Sequence, residues 1–249
     1  MRVLFMGGKN IGCACLDYLV ERKTNLVGII VNTDTDVEAN RWYRSATETG
    51  LRQNIPVFSP RNINSTEGVR LVKSLKPELI VVAYYDQILK NGILSIPKLG
   101  SINLHMALAE EYRGCYPTTW AIINGETRVG VTIHYVDEGI DSGDIIAQKE
   151  LEIKNEYTGR DLYVLCSKAG TELFRETFPL IEAGEAPRRK QKSTANTKYY
   201  KREFPSREVD FTKSGKEIYN LIRALIFEPF PSPYIKIGER KFIFKEVKE

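Results

Sequence analysis

The chain of 249 residues has only two histidines, and the first, His105, closes the tripeptide Asn103-Leu104-His105 behind an apolar run. About one supersecondary unit later comes an acidic glycine loop, Asp137-Glu138-Gly139-Ile140-Asp141-Ser142-Gly143-Asp144. An amide, an imidazole and a carboxylate brought to one point would take a proton from a nucleophile and stabilise an oxyanion. A neutral imidazole accepts a proton near neutral pH, since a free histidine titrates at about 6.5. A carboxylate against its other ring nitrogen would fix the tautomer and steady the imidazolium. An asparagine amide can donate to a carbonyl oxygen as negative charge gathers there; deleting such a donor typically costs about 10²–10³ in rate. The set suits attack of an amine on an acyl carbon. It contains no nucleophile of its own, so direct transfer is more natural than a covalent intermediate. On residue types and spacing alone, the bland alternative stays open: His105 a satisfied structural residue, Asp-Ser-Gly-Asp an ordinary turn. The second histidine, His134, falls mid-strand and reads as structural.

These residues need a scaffold, and the pattern predicts one. Val3 to Met6 is a short apolar strand, followed by Gly7-Gly8-Lys9-Asn10-Ile11-Gly12, a helical face of Ile11, Cys15, Leu16 and Leu19, and a buried strand from Leu26 to Val31. That order is a βαβ unit, which implies a parallel sheet. The glycine turn matches neither the GxGxxG fingerprint nor a Walker loop. A tight turn and a place for a ligand to approach the backbone are equally good readings of it. Ile55 to Phe58 and Glu78 to Ala83 continue as strands around a helix from Thr66 to Leu75. The β-branched run Leu79-Ile80-Val81-Val82-Ala83 predicts a central strand covered on both faces. Tyr84 to Ile88 lies at its carboxyl end, where open α/β sheets bind ligands. Residues 100 to 104 form the strand that delivers Asn103 and His105. Thr118 to Asn124 reads as a helix, Val129 to Val136 and Ile145 to Ile153 as strands, and Asp161 to Ile181 as a long amphipathic helix ending at Ala183-Gly184.

The expected fold class is α/β: a Rossmann-like, mostly parallel sheet with helices on both faces, followed by a small C-terminal helix-plus-hairpin module. The expected divisions are residues 1–183, a basic linker or flexible loop at 184–206, and the small module at 207–249. The linker carries few aliphatics, and between Arg188 and Arg202 it holds seven basic residues and no acid. The module reads as a helix from Gly215 to Phe227, a Pro-rich turn, and a hairpin of Tyr234 to Ile237 with Phe242 to Val247.

Composition narrows the function classes. A chain 42% hydrophobic and 27% charged can bury a sizeable core. No apolar stretch approaches the roughly 20 residues that cross a bilayer, and the opening apolar run is too short for a signal peptide. A cytoplasmic location with no membrane partner is expected. Cys13, Cys15, Cys115 and Cys166 read as small buried or half-buried thiols, and two histidines assemble no zinc spacing, so no metal is expected. A net charge of +4 permits an anionic substrate without indicating nucleic acid.

Five ordered blocks carry a specific resemblance: Asn103-Leu104-His105; Tyr112-Arg113-Gly114-Cys115; Trp120 to Glu126; Gly130-Val131-Thr132-Ile133-His134; and Asp137 to Ile145. Together they resemble the formyltransferase family that uses N10-formyltetrahydrofolate, closely over about residues 78 to 150 and in outline over the whole chain. The resemblance implies that Asn103, His105 and Asp141 are the catalytic trio. His105 would accept the proton of the attacking amine, Asn103 would hold the formyl oxygen, and Asp141 would tune both. It also implies a pterin site held largely by backbone groups, between Tyr84, Tyr85, Asp86 and Ile88 on one side and Asp137 and Ile140 on the other.

The acceptor amine is less constrained. Methionyl-tRNA formyltransferases usually follow this histidine with Pro-Ser, whereas Met106-Ala107 stands here. With Tyr112 to Cys115, that looks more like the branch acting on nucleotide sugars. Phe211 to Ser214 with Glu217 to Leu225 resembles the start of the C-terminal region that the sugar enzymes retain. A nucleotide-linked deoxyamino sugar, destined for surface glycans such as O-antigen, is therefore the expected acceptor. Its pyrophosphate and base would need positive charge and an aromatic face. Tyr199, Tyr200, Lys201 and Arg202 offer both, and Lys9 and Asn10 would flank the sugar; the alternative reading of 188–202 is a solvated mobile loop. An aminoacyl-tRNA, an aminoacyl thioester, and a non-catalytic nucleotide- or RNA-binding relative remain alternatives. The apolar C-terminal hairpin suits a homodimer.

Overall fold

In the computed structural model, which describes residues 1–33, 42–192, 197–201 and 203–247, seven strands share one sheet. From edge to edge they are β3 (Val57–Phe58), β2 (Asn25–Ile30), β1 (Arg2–Gly7), β4 (Leu79–Ala83), β5 (Ser101–His105), β7 (Arg128–Tyr135) and β8 (Ile145–Glu152). The first five run parallel, and β7 and β8 are antiparallel additions. The expected α/β, Rossmann-like sheet is therefore what forms.

Alternation along the strands supplies two cores. Val3, Phe5, Leu79, Val81 and Ala83 point to one face, where α1 (Lys9–Glu21) and α6 (Gly159–Ala183) pack with Leu16, Leu19, Phe174 and Phe178. Leu4, Met6, Ile80 and Val82 point to the other, covered by Val72 of α3 (Thr66–Leu75) and Ile93 of α4 (Asn91–Leu94). A strand buried on both faces must be apolar at every position, which is why the central runs show no polar alternation. A further short helix, α2 (Ala46–Arg52), has no apolar signature strong enough to stand out in the sequence. The helix starts are legible. Ser65 accepts from Gly68 N, and Thr158 with Asp161 forms a capping box that opens α6. At the far end of α6, Gly184 adopts φ +75, the left-handed stop.

The glycine turn after β1 has a packing reason. A Cβ on Gly7 would come within 1.8 Å of the Ala83 carbonyl oxygen, and one on Gly12 within 2.6 Å. Gly7 and Gly12 let β1 and α1 close on the end of β4, whereas Gly8 has nothing within 4 Å of its Cβ position.

The C-terminal helix α7 (Gly215–Leu225) packs on α5 (Pro117–Ile123) and α6. Its Arg223 is buried, with Nη1 donating to the carbonyls of Lys154 and Tyr157 and Nε to Asn220 Oδ1. The hairpin that follows pairs β10 (Tyr234–Ile237) with β11 (Arg240–Ile243). Its second strand starts two residues earlier than the sequence suggests. Ile237 pairs with Arg240 directly, so Gly238 (φ +62) and Glu239 are the whole turn.

The basic segment departs from the expected free loop. Arg189 bridges Ile145, and β9 (Lys198–Tyr200) runs parallel to β6 (Tyr112–Gly114). Glu110 gathers Arg189 at 3.0 Å, the Lys192 amide at 2.7 Å and, through its carbonyl, the Thr197 hydroxyl at 2.6 Å. A solvated loop would leave these charges to water; here Glu110, with Asp144 on Arg188 and Glu126 on Lys198, pins the segment as a strap. No described helix is long and apolar enough to cross a membrane.

Candidate active site

Strand register assembles the site. In the antiparallel pair β5–β7, Asn103 lies opposite His134 and His105 opposite Thr132. Directly opposed residues share a face, and so do residues two apart. Asn103, His105 and His134 therefore point together, while Ile102 and Leu104 join the apolar core behind. Thr132 braces the chain after His105: its hydroxyl donates to the Ala107 carbonyl at 2.6 Å and accepts from Gln148 Nε2 at 2.9 Å. The acidic loop leaves the sheet beside the start of β5, where Val136 N bonds the Ser101 carbonyl, and folds back until Asp141 meets the other three. Asp141 itself sits at φ +48, a conformation that L residues rarely hold.

The hydrogen bonds assign the protons. His105 Nε2 lies 3.0 Å from the Tyr112 carbonyl, which can only accept, so Nε2 carries the hydrogen. Nδ1 is thereby the basic nitrogen, and it faces Asp141 Oδ2 at 3.6 Å. The expectation that a carboxylate fixes this tautomer is corrected: a backbone carbonyl does so, and Asp141 stands beside the nitrogen that takes the proton. Asp141 is in turn held by Gly114 N on Oδ2 at 2.9 Å and by Asn103 Nδ2 on Oδ1 at 3.2 Å.

His134, read from the sequence as structural, is part of the same network. Its Nδ1 lies 2.8 Å from the Tyr135 carbonyl and donates to it. Nε2 of the neutral ring is then an acceptor, 3.2 Å from Asn103 Nδ2 and 3.4 Å from Asp141 Oδ1. Both amide hydrogens of Asn103 are engaged in this state, so donation to a developing oxyanion requires sharing one of them. Burial pushes the Asp141 carboxyl up, but the Gly114 amide and the positive charge that His105 and His134 carry when protonated outweigh it and hold the group well below the usual carboxylate range. Only the β5–β7 register could have singled out His134, and register is not written in the local pattern.

Of the residues expected to hold a pterin, Tyr84 packs its ring against Tyr163 at 6.2 Å in the core behind the trio. The backbone of Tyr84 and Asp86 is braced by one side chain, Asn32, which donates to the Tyr84 carbonyl at 3.1 Å and accepts from Asp86 N at 3.0 Å. The Ile88 carbonyl accepts from Asn64 at 2.8 Å, and the Ile88 side chain is exposed. Tyr85 packs with Val82 and Val136 in one apolar cluster, and its hydroxyl is buried with no hydrogen-bond partner. An unpartnered hydroxyl in an apolar cluster that holds Val82, the strand partner of Asn103, suits a flat heteroaromatic ligand with polar edges. Asp137 is occupied with the loop itself, accepting from Gly139 N at 3.1 Å and the Ser142 hydroxyl at 2.8 Å.

The residues expected to read a nucleotide separate. Ile140 and Tyr199 line one cavity of about 460 Å³ with Arg113, Gly139, Ser142 and Thr197, so a residue assigned to the donor and one assigned to the acceptor share a wall. A larger recess of about 680 Å³ around Pro60, Asn62 and Gly68 contains none of the trio. Tyr199 is half exposed, whereas Tyr200 is corrected: its ring stacks on Trp120 at 4.3 Å and on Tyr112 at 5.9 Å, so its aromatic surface serves the strap. Lys201 is exposed, and Arg202 lies outside the described residues. Lys9 places its ammonium over the rings of Tyr43 (4.4 Å) and Tyr84 (4.8 Å), and Asn10 Oδ1 accepts from Arg44 N at 2.9 Å. Among the described residues no group of His, Cys, Asp and Glu side chains could hold a metal ion.

A mostly parallel α/β sheet that presents an amide, a basic imidazole and a carboxylate on one face defines a group-transfer enzyme. The profile of the formyl transferase family matches residues 1–178, and the chain belongs to that family, transferases of one-carbon groups. It is 36% identical over 236 residues to a methionyl-tRNA formyltransferase of Clostridioides difficile (strain 630), the match covering 94% of this chain and 76% of that protein. Among solved structures, WlaRD, a sugar 3N-formyl transferase in the presence of dTDP and 5-N-formyl-THF, superposes with a TM-score of 0.78 at 26% identity, covering 97% of this chain and 84% of that one. The N-formyltransferase from Helicobacter canadensis, in complex with folinic acid and dTDP-3-aminofucose, superposes with a TM-score of 0.77 at 26% identity, covering 97% and 86%.

Proposed function

We propose that this chain moves a formyl group from N10-formyltetrahydrofolate to the primary amine of a nucleotide-linked deoxyamino sugar, as a cytoplasmic step in surface-glycan synthesis. One arrangement carries the reading: His105 Nδ1 opens toward Asp141 Oδ2 at 3.6 Å, with the Asn103 amide 3.2 Å from the same carboxylate. The folate supplies the activated formyl group. His105 Nδ1 accepts the amine proton as the new C–N bond forms, its Nε2 remaining a donor to the Tyr112 carbonyl. Asp141, ionised, faces the imidazolium so produced. Asn103 donates to the formyl oxygen while it holds negative charge. His105 then returns the proton to the folate nitrogen as the old C–N bond breaks.

The acceptor assignment rests on a cavity beside the Asp141 loop that joins a guanidinium, Arg113, to an exposed aromatic ring, Tyr199. Those are the groups a pyrophosphate and a base require. Two solved structures at 26% identity hold dTDP or a dTDP-sugar, which supports it. A second reading, formylation of an aminoacyl-tRNA, is favoured by the 36% identity to a methionyl-tRNA formyltransferase. A formylation assay over a panel of nucleotide-linked amino sugars and aminoacyl-tRNAs, with mass detection of the added formyl group, decides between them. His105→Ala and Asn103→Ala are expected to nearly abolish transfer while folate binding stays measurable. Near-normal turnover of either variant would sink the mechanism.

A further inference from the structure

The basic strap sends one neutral side chain toward the catalytic loop. Gln191 Nε2 donates to the carbonyl of Asp141 at 2.9 Å and to that of Gly143 at 2.7 Å, while its Oε1 accepts from Arg113 Nη2 at 2.8 Å. The amide is used at both ends, and that fixes its orientation. Flipped, it would aim an oxygen at two carbonyls and an NH₂ group at a guanidinium. The loop divides into two holds. Its tip is shaped by Asp137, which binds Gly139 and Ser142. The backbone at 141 and 143 is held by Gln191, and there Asp141 keeps its left-handed φ of +48.

A rotation of the Asp141 peptide would swing the carboxylate away from both His105 Nδ1 and Gly114 N. We infer that Gln191 is a positioning residue for this transferase. By holding the Asp141 and Gly143 carbonyls it sets the angle of the Asp141 carboxylate to His105, and through Arg113 it ties that carboxylate to the wall of the 460 Å³ cavity. The inference rests on the reading of Asp141 as a catalytic group. Gln191 touches no reacting atom; it acts through Asp141.

Two substitutions separate positioning from mere strap stability. Gln191→Glu is nearly isosteric and keeps an ion pair with Arg113, but it removes both donors and puts a charge beside two carbonyl oxygens. Gln191→Ala loses the Arg113 contact as well. With Gln191 as a positioning residue, kcat falls about tenfold or more in both, and Gln191→Glu is at least as slow as Gln191→Ala. Folate affinity by equilibrium titration and the thermal midpoint stay at parental values, because Asp137 holds the loop tip on its own. A purely structural Gln191 would instead show its loss of rate together with a fall in thermal midpoint. A parental kcat in Gln191→Glu, or a loss that merely follows a drop in thermal midpoint, overturns the inference. Asp141→Asn, assayed alongside, separates the two failures. If it is inactive while Gln191→Glu is normal, only the positioning role falls; if it too is normal, the catalytic reading of Asp141 is what fails.

Discussion

Asn103 Nδ2 and His134 Nε2 stand 3.2 Å apart across the β5–β7 pair, and the bond between them fixes which way the asparagine amide points. His134 Nδ1 donates to the Tyr135 carbonyl, so the neutral ring can only accept at Nε2. The amide must then turn its nitrogen, and not its oxygen, toward His134 and Asp141. His134→Leu leaves Asp141 alone to hold the amide and should lower kcat, up to the roughly 10²–10³ that loss of an oxyanion donor costs. His134→Gln keeps an acceptor and should recover most of that loss. Steady-state kinetics with folate binding as a control checks both; equal rates in the two variants would remove His134 from the mechanism.

The ionisation of Asp141 predicts a pH signature. Its folded pKa is depressed below the unfolded value of about 3.9, so its contribution to stability is complete above that pH and lost as pH falls through the folded value. Asp141 is thus a carboxylate at every pH where turnover is measurable. The acid limb of the kcat profile must belong to another group, and Asp141→Asn should lower the whole profile while leaving an acid limb in place. Its disappearance in that variant would assign the titration to Asp141 after all.

The strap should release in acid. Burial pushes the Glu126 carboxyl up, but hydrogen bonds from Lys198 (2.5 Å) and the Tyr112 hydroxyl (2.8 Å) outweigh it and lower its pKa. Glu110 is lowered the same way, against its own burial, by Arg189 and Lys192. Depressed acids stabilise above their unfolded pKa of about 4.3 and lose that contribution as pH falls further. Trp120, stacked on Tyr200, is the reporter. In a Trp42→Phe background it is the sole tryptophan of the chain, and its emission should change as pH falls below about 4. Lys198→Met should show the released emission already at neutral pH.

The glycine turn offers a contrast of two alanines. Gly12→Ala places a methyl 2.6 Å from the Ala83 carbonyl and should cost about 1–3 kcal/mol in urea unfolding, with β4 and Tyr84 displaced. Gly8→Ala meets nothing within 4 Å and should unfold like the parent. A loss of acceptor affinity in Gly8→Ala at full stability would assign this turn to ligand approach.

The sequence by itself determined most of the elements and singled out three side chains that the structure brings together. Period-2 alternation, the continuous apolar run of Leu79 to Ala83, and the amphipathic run of Asp161 to Ile181 are local signals, so the strands and the long helices were legible one segment at a time. Asn103, His105 and Asp141 were legible because their residue types and order are specific. Only the tertiary structure decided how those groups share protons. The tautomer of His105 depends on the Tyr112 carbonyl, and backbone carbonyls leave no mark on residue type. The role of His134 depends on a register in which a shift of one residue would send it to the opposite face. The hold of Gln191 on Asp141 spans 50 positions, and closure over that distance comes from strap charges meeting Glu110 and Glu126, contacts that no local window contains.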